Sequence, residues 1–169
     1  MKRIVIIGPE STGKSTLAQG LAFHYDCPWI PEYARSYMEE LNRSYTYEDV
    51  ELIARHQLEE LRDFETRFSA TAPYLFLDTD LIITRVWFLH VFKREPEWLA
   101  SVIKNTAADL YLLCRPDLPW EPDPVRENEN LRDYLYQWYM CEIKELSKPF
   151  AEIGGEGELR LQHAIQAIY

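Results

Sequence analysis

Apolar and polar positions along this chain follow two rhythms, and the rhythms alternate. The β-branched run Ile4-Val5-Ile6-Ile7 reads as a buried strand over about Arg3–Ile7. Lys14 to about Tyr25 reads as helix, with Leu17, Leu21 and His24 or Tyr25 on one face. A short second strand is expected at Trp29–Glu32, then a helix at Tyr33–Leu41. Thr46 and Asp49 have capping-box spacing, with Asp in place of Glu, and open a long helix to about Phe68. Its apolar stripe is Val50, Ile53, Ala54, Leu58, Leu61, Phe64 and Phe68. Tyr74–Leu77 is the third strand, followed by helices at about Ile82–His90 and Glu97–Asn105. Leu110–Cys114 is the fourth strand. A helix over about Asn128–Leu146 carries Leu131, Leu135, Trp138 and Cys141 on one side. The fifth strand is Phe150–Ile153, and Gly154-Gly155-Glu156-Gly157 turns the chain into a last helix ending at Ile168. Regular alternation of this kind predicts an α/β fold, a parallel sheet covered by helices on both faces.

Composition narrows the partners. The 169 residues suit one domain, 1–169, with no linker, repeat or low-complexity tail. With 18 Lys+Arg against 28 Asp+Glu, the net charge of −10 disfavours nucleic acid and anionic membranes. No apolar run approaches membrane-spanning length. The first strand begins directly after Lys2-Arg3, so no signal peptide is expected. Cys27, Cys114 and Cys141 lack metal-ligand spacing and read as buried free thiols of a cytoplasmic protein. Homo-oligomerisation is left open.

The chemistry sits at the strand ends. Gly8-Pro9-Glu10-Ser11-Thr12-Gly13-Lys14-Ser15 is a complete G-x-x-x-x-G-K-[ST] phosphate loop, between a β-branched run and a helical one. Gly8 and Gly13 let the backbone wrap with its N–H groups inward, and with Thr16 at the helix start they form a polyanion cradle. Lys14 is expected to bridge the β- and γ-phosphates of ATP, and the Ser15 hydroxyl to ligate Mg²⁺. The third strand closes on Asp78-Thr79-Asp80. Asp78 is the expected second Mg²⁺ ligand, and Asp80 is available to the substrate.

The second strand runs into Pro31-Glu32-Tyr33-Ala34-Arg35. Glu32 is placed to hydrogen-bond and deprotonate an acceptor hydroxyl, Tyr33 offers a flat face, and Arg35 a fork for phosphate or carboxylate. Gln57 lies on the apolar stripe of the long helix, so it either bonds backbone in the core or points into a substrate cleft. Pro116, Pro119, Pro122 and Pro124 forbid helix between Arg115 and Arg126. Residues 115–127 are the expected lid. Its arginines, Arg115 and above all Arg126, would meet the phosphates, and Trp120 either packs down or covers a ligand.

Together the Gly-x-Glu-Ser-x-Gly-Lys-Ser loop, Glu32-Tyr33-x-Arg35, His56-Gln57 and Phe76-Leu77-Asp78-Thr79-Asp80 resemble the ribosylnicotinamide kinase domain of the bacterial NAD salvage and regulator proteins. The resemblance spans nearly the whole chain. It implies a P-loop kinase fold with strand order 2-3-1-4-5. It also implies transfer of the ATP γ-phosphoryl to the ribose 5′-hydroxyl of nicotinamide riboside, giving nicotinamide mononucleotide. Lys14, Mg²⁺ and Arg126 would then stabilise the transferring group, and Glu32 or Asp80 would be the base. Where several relatives carry Trp before the Glu-Tyr pair, this chain has Pro31, so another aromatic must face the pyridinium: Trp29, Tyr33, Trp87 or Trp120. The alternatives are another nucleoside or nucleotide kinase, or a regulatory ATPase acting on a protein partner.

Overall fold

A computed structural model describes residues 1–169. Five parallel strands form one sheet: β1 (Lys2–Ile7), β2 (Trp29–Ile30), β3 (Tyr74–Asp78), β4 (Leu110–Cys114) and β5 (Phe150–Ile153). Their order is β2-β3-β1-β4-β5. Seven α-helices connect and cover them: α1 (Lys14–Tyr25), α2 (Tyr33–Glu40), α3 (Tyr47–Phe68), α4 (Leu81–Trp87), α5 (Leu99–Asn105), α6 (Arg132–Glu145) and α7 (Gly157–Ile168). This is the P-loop kinase arrangement that the sequence pattern and the resemblance anticipate. No helix is long and apolar enough to cross a membrane.

Period-two alternation in the strands builds two cores. Val5, Ile7, Leu75, Leu77, Tyr111 and Leu113 face α3, α4, α5 and α6. Ile4, Ile6, Phe76, Leu112 and Cys114 face α1 and α7. Both sets are buried, so these strands are apolar throughout, as central parallel strands must be. Register sets the site: Ile6 pairs with Asp78 on one side of β1, and Ile7 with Leu113 on the other. The ends of β1, β3 and β4 therefore share one edge.

Several local expectations need correction. The strand β2 covers only Trp29–Ile30, because Pro31 has no N–H to extend an edge strand. Glu32 thus lies beyond the strand, as the residue capping α2. His24 is exposed. The helix expected at Ile82–His90 is α4 followed by a π-helical turn, Phe88–Phe92. A 3-10 turn at Glu129–Leu131 precedes α6. The buried face of α6 is Arg132, Leu135, Tyr136, Tyr139, Glu142 and Ile143, rotated from the expected stripe because the polar atoms of this face find hydrogen-bond partners, Glu142 in Arg85, Tyr136 in Glu152 and Arg132 in the Leu118 carbonyl. Cys141 is exposed and Cys27 half-buried, so only Cys114 is a buried thiol.

The helix α2 buries no residue completely. It is tied down by polar contacts centred on Asp49, which is 2% exposed. Its carboxylate accepts from the Thr46 N–H at 2.7 Å, closing the capping box, and from Tyr37 Oη at 2.7 Å. It also takes both Arg43 Nη atoms, at 2.6 and 2.8 Å. These bonds, Arg43 first, hold the Asp49 carboxyl well below the usual carboxylate range. A depressed pKa contributes stability above the unfolded value that is lost as pH falls toward the folded one. Asp49→Asn should therefore cost about 2 kcal/mol at pH 7, a figure already reduced for the solvated Arg43 side. The deficit should begin to shrink below about pH 4. Urea unfolding of both proteins at pH 7 and pH 3 checks this; an unchanged gap would contradict it.

Candidate active site

The phosphate loop is a close approach of backbone to backbone. Gly8 has φ +155, and a Cβ there would lie 2.7 Å from the Cys114 carbonyl oxygen. Gly13 has φ +73 and turns the loop into α1. Inside the loop the Thr12 hydroxyl donates to the Pro9 carbonyl at 2.8 Å, and Lys14 Nζ donates to the same oxygen at 3.0 Å. Behind it, the buried Arg160 of α7 donates to the Thr12 carbonyl at 3.0 Å and the Gly155 carbonyl at 2.7 Å, and pairs with Asp117.

A cavity of about 790 Å³ opens over this loop. On one side it is bounded by Leu17, Gly20, Glu156, Gly157 and Leu161, and on the other by Glu32, Arg35, Tyr45, Gln57, Trp87 and Tyr139. Lys14 stands between the two lobes among carboxylates. Burial raises the Glu32 pKa, with Lys14 opposing the rise and Asp78 adding to it. Burial raises Asp78 as well, against Lys14 and the Ser15 hydroxyl. A carboxylate with a raised pKa is a stronger proton acceptor, which suits Glu32 as a base.

Ser15 Oγ donates to Asp78 Oδ2 at 2.5 Å, while the buried Asp78 Oδ1 has no hydrogen-bond partner. An unsatisfied carboxylate oxygen beside a hydroxyl is an oxygen donor set with a gap in it. That fits a hard dication such as Mg²⁺, held by Ser15 and Asp78.

The other expected residues divide. Arg126 borders the cavity, donating to the Glu121 carbonyl at 2.5 Å and the Ser11 hydroxyl at 3.5 Å. Gln57 points to the cavity, and its Oε1 accepts from Thr84 Oγ1 at 2.8 Å. Arg35 reaches it too, but its fork is engaged by Asp123 at 2.5 Å and Glu39 at 2.9 Å. Asp80 is turned away. Its carboxylate caps α4, accepting from the Ile82 N–H at 2.9 Å, and lines a separate cavity of about 30 Å³. Burial pushes its pKa up to about 6. Of the two carboxylates expected near the acceptor, only Glu32 lines the cavity over the phosphate loop. Arg115 pairs with Glu152 at 3.5 Å outside the cavity. Tyr33 packs against His56, ring centres 3.6 Å apart, and neither it nor Trp120 or Trp29 lines the cavity. Of the candidate aromatics only Trp87 does, with its ring 5.0 Å from that of Tyr45.

Tyr45, Tyr139 and Arg160 carry no motif, and only the packed fold shows that they converge. A family model described as an AAA domain matches residues 3–160. The chain belongs to this family. Among curated relatives of this AAA-domain chain is the trifunctional NAD biosynthesis/regulator protein NadR of Escherichia coli (strain K12). It is 28% identical over 132 residues, covering 75% of the chain and 31% of NadR. The chain thus spans about a third of the length of the curated relatives it matches. A crystal structure of NadR in complex with NR superposes with TM-score 0.81 at 28% identity, covering 99% of this chain and 50% of that one. A NadR structure in complex with NAD and AMP-PNP gives TM-score 0.74 at 25% identity, covering 99% and 48%. These are relatives of the kind that the Glu32, Gln57 and Asp78 motifs pointed to.

The Ser15–Asp78 pair makes a prediction about metal. Asp78→Asn should weaken the Mg²⁺-dependent part of ATP binding on the order of tenfold or more, leaving metal-free binding nearly unchanged. Calorimetric titration with and without EDTA checks this. Equal Mg²⁺ dependence in the two proteins would remove Asp78 from the metal.

Proposed function

We propose that the chain is an ATP- and Mg²⁺-dependent kinase acting on the 5′-hydroxyl of nicotinamide riboside, in a cytoplasmic NAD salvage reaction. The observation that carries this reading is Glu32. It shares one cavity with Lys14 and the complete phosphate loop, and a structural neighbour at 28% identity holds NR.

Phosphoryl transfer asks the protein for positioning and charge more than for covalent chemistry. The loop amides take the phosphates. Lys14 leaves the Pro9 carbonyl, its partner at 3.0 Å, for the phosphate oxygens. Arg126 adds a second cation from the proline-rich stretch, the lid of the reaction. Ser15 and Asp78 would hold Mg²⁺, which would supply charge neutralisation on the phosphates. Glu32 accepts a hydrogen bond from the acceptor hydroxyl and takes its proton as transfer proceeds.

The acceptor lobe also suits a pyridinium cation. Trp87 and Tyr45 present π-systems, and Glu32 supplies negative charge to the same cavity. Arg35 is held by Asp123 and Glu39, which leaves this lobe poor in free cations for an acceptor already bearing phosphate. The base lobe, between α1 and the start of α7, takes the ATP base.

Lys14→Ala should lower turnover on the order of 10²-fold or more, the scale for losing one preorganised charge stabiliser. Glu32→Gln should lower turnover with nicotinamide riboside by about 10²-fold while ATP affinity stays nearly unchanged. In direct competition, wild type should prefer nicotinamide riboside over uridine. A win for uridine would make this a kinase of another nucleoside; full turnover in Glu32→Gln would remove the base.

A further inference from the structure

The phosphate loop does more than face the phosphates: two of its side chains hold the proline-rich stretch. Glu10 Oε2 accepts from the Asn128 N–H at 2.9 Å and the Glu127 N–H at 3.2 Å. Ser11 Oγ accepts from the Glu121 N–H at 2.9 Å and lies 3.3 Å from the Pro119 carbonyl oxygen, to which it donates. The same hydroxyl is 3.5 Å from Arg126 Nη1, which also donates to the Glu121 carbonyl at 2.5 Å. The stretch is thus fastened at both ends to two consecutive loop residues, and Arg126 lies between the fastenings.

The backbone indicates that this fastening has a cost that the fold carries. Ser11 has φ +57, the left-handed region, without being glycine. A side chain at Cβ makes that conformation strained for any residue but glycine. Glycine would remove that strain, but it has no hydroxyl to place between Pro119, Glu121 and Arg126. Glu10 is likewise an unlikely choice for a polyanion cradle, since its negative charge opposes phosphate. At the cavity wall, set on the Glu127 and Asn128 N–H groups, that charge is used where it strengthens the bonds. Side chains whose types oppose phosphate binding, or strain the loop, both go to the proline-rich stretch.

The geometry points to Glu10 and Ser11 as positioning residues that close residues 118–128 over the phosphate loop and set Arg126 against the transferring group. The closure itself is read from the contacts above. Only the role of Arg126 rests on the kinase reading. Binding of nucleotide to the loop and closure of the stretch become one event, because the same eight-residue segment makes both sets of contacts. Opening exposes the loop for exchange of ADP, and closing brings the arginine in with the triphosphate.

The test has two arms on the full chain. In the first, hydrogen exchange is measured on the free protein and with Mg²⁺-AMP-PNP. Glu10→Ala should raise exchange at the Glu127 and Asn128 amides about tenfold or more, and Ser11→Gly should do the same at Glu121. Ser11→Gly relieves strain, so a folding defect does not confound it. In the second arm, turnover is read as ADP release with nicotinamide riboside, and also without any acceptor. Glu10→Ala and Arg126→Ala should each lower kcat about tenfold or more, with little change in acceptor KM. The double variant should be no worse than Arg126→Ala alone, because Glu10 acts through Arg126. Glu10→Gln, which keeps an acceptor oxygen, should recover part of the loss. Unchanged exchange in both variants would overturn the closure. Multiplicative losses in the double variant would overturn the link to Arg126. If ADP release does not respond to nicotinamide riboside, the acceptor assignment fails, while exchange and basal ADP release still decide this inference.

Discussion

The arrangement depends on one close approach, that of Gly8 to the carbonyl of Cys114. Any side chain at position 8 would sit 2.7 Å from that oxygen, so the loop can wrap over the end of β4 only with glycine there. Once it does, Lys14 and Ser15 lie at the start of α1, beside the end of β3. The parallel register of β1 with β3 sets Asp78 opposite Ile6, within 2.5 Å of the Ser15 hydroxyl. The positions of Lys14 and Ser15 follow from where that turn is made, and the sheet register brings Asp78 to them.

Electrostatics gives the site its character. Glu32 and Asp78 are both desolvated, and Lys14 is the nearby charge that eases both. Neither carboxylate is satisfied in the way Asp49 is, with Arg43, Tyr37 and the Thr46 amide around it. Asp49 stabilises the fold. Asp78 keeps one oxygen without a partner, and Glu32 faces an open cavity. Residues left with unmet electrostatic needs are the ones available to ligands.

The supports of the loop come from far along the chain. Arg160, 148 positions from Thr12, satisfies that residue's carbonyl from behind. Arg132 donates to the Leu118 carbonyl at 2.7 Å and anchors the proline-rich stretch to α6. Arg35 reaches across the cleft to Asp123 in the same stretch. Three arginines thus hold parts of the cleft together, and the one left closest to the loop hydroxyls is Arg126.

What the sequence by itself determined is local in origin. The phosphate loop, the capping box at Thr46 and the buried strand runs each depend on residues within a few positions of one another. They were legible for that reason, and with them came the sheet, its order through the family resemblance, and the places of Lys14, Ser15 and Asp78. The tertiary structure decided which way side chains turn once segments pack. Asp78 and Asp80 are two residues apart and alike in type, yet one faces Ser15 and the other caps α4. Arg35 looked like a ligand fork until Asp123, 88 residues away, took it. Trp120 in the proline-rich stretch is the aromatic that the sequence favours for the substrate, with Trp87 one of four that could stack, yet packing beside Tyr45 puts Trp87 in the cavity and leaves Trp120 out of it. Partners this distant leave no pattern in a short window, because hydrogen bonds and ion pairs depend on separation in space and not along the chain.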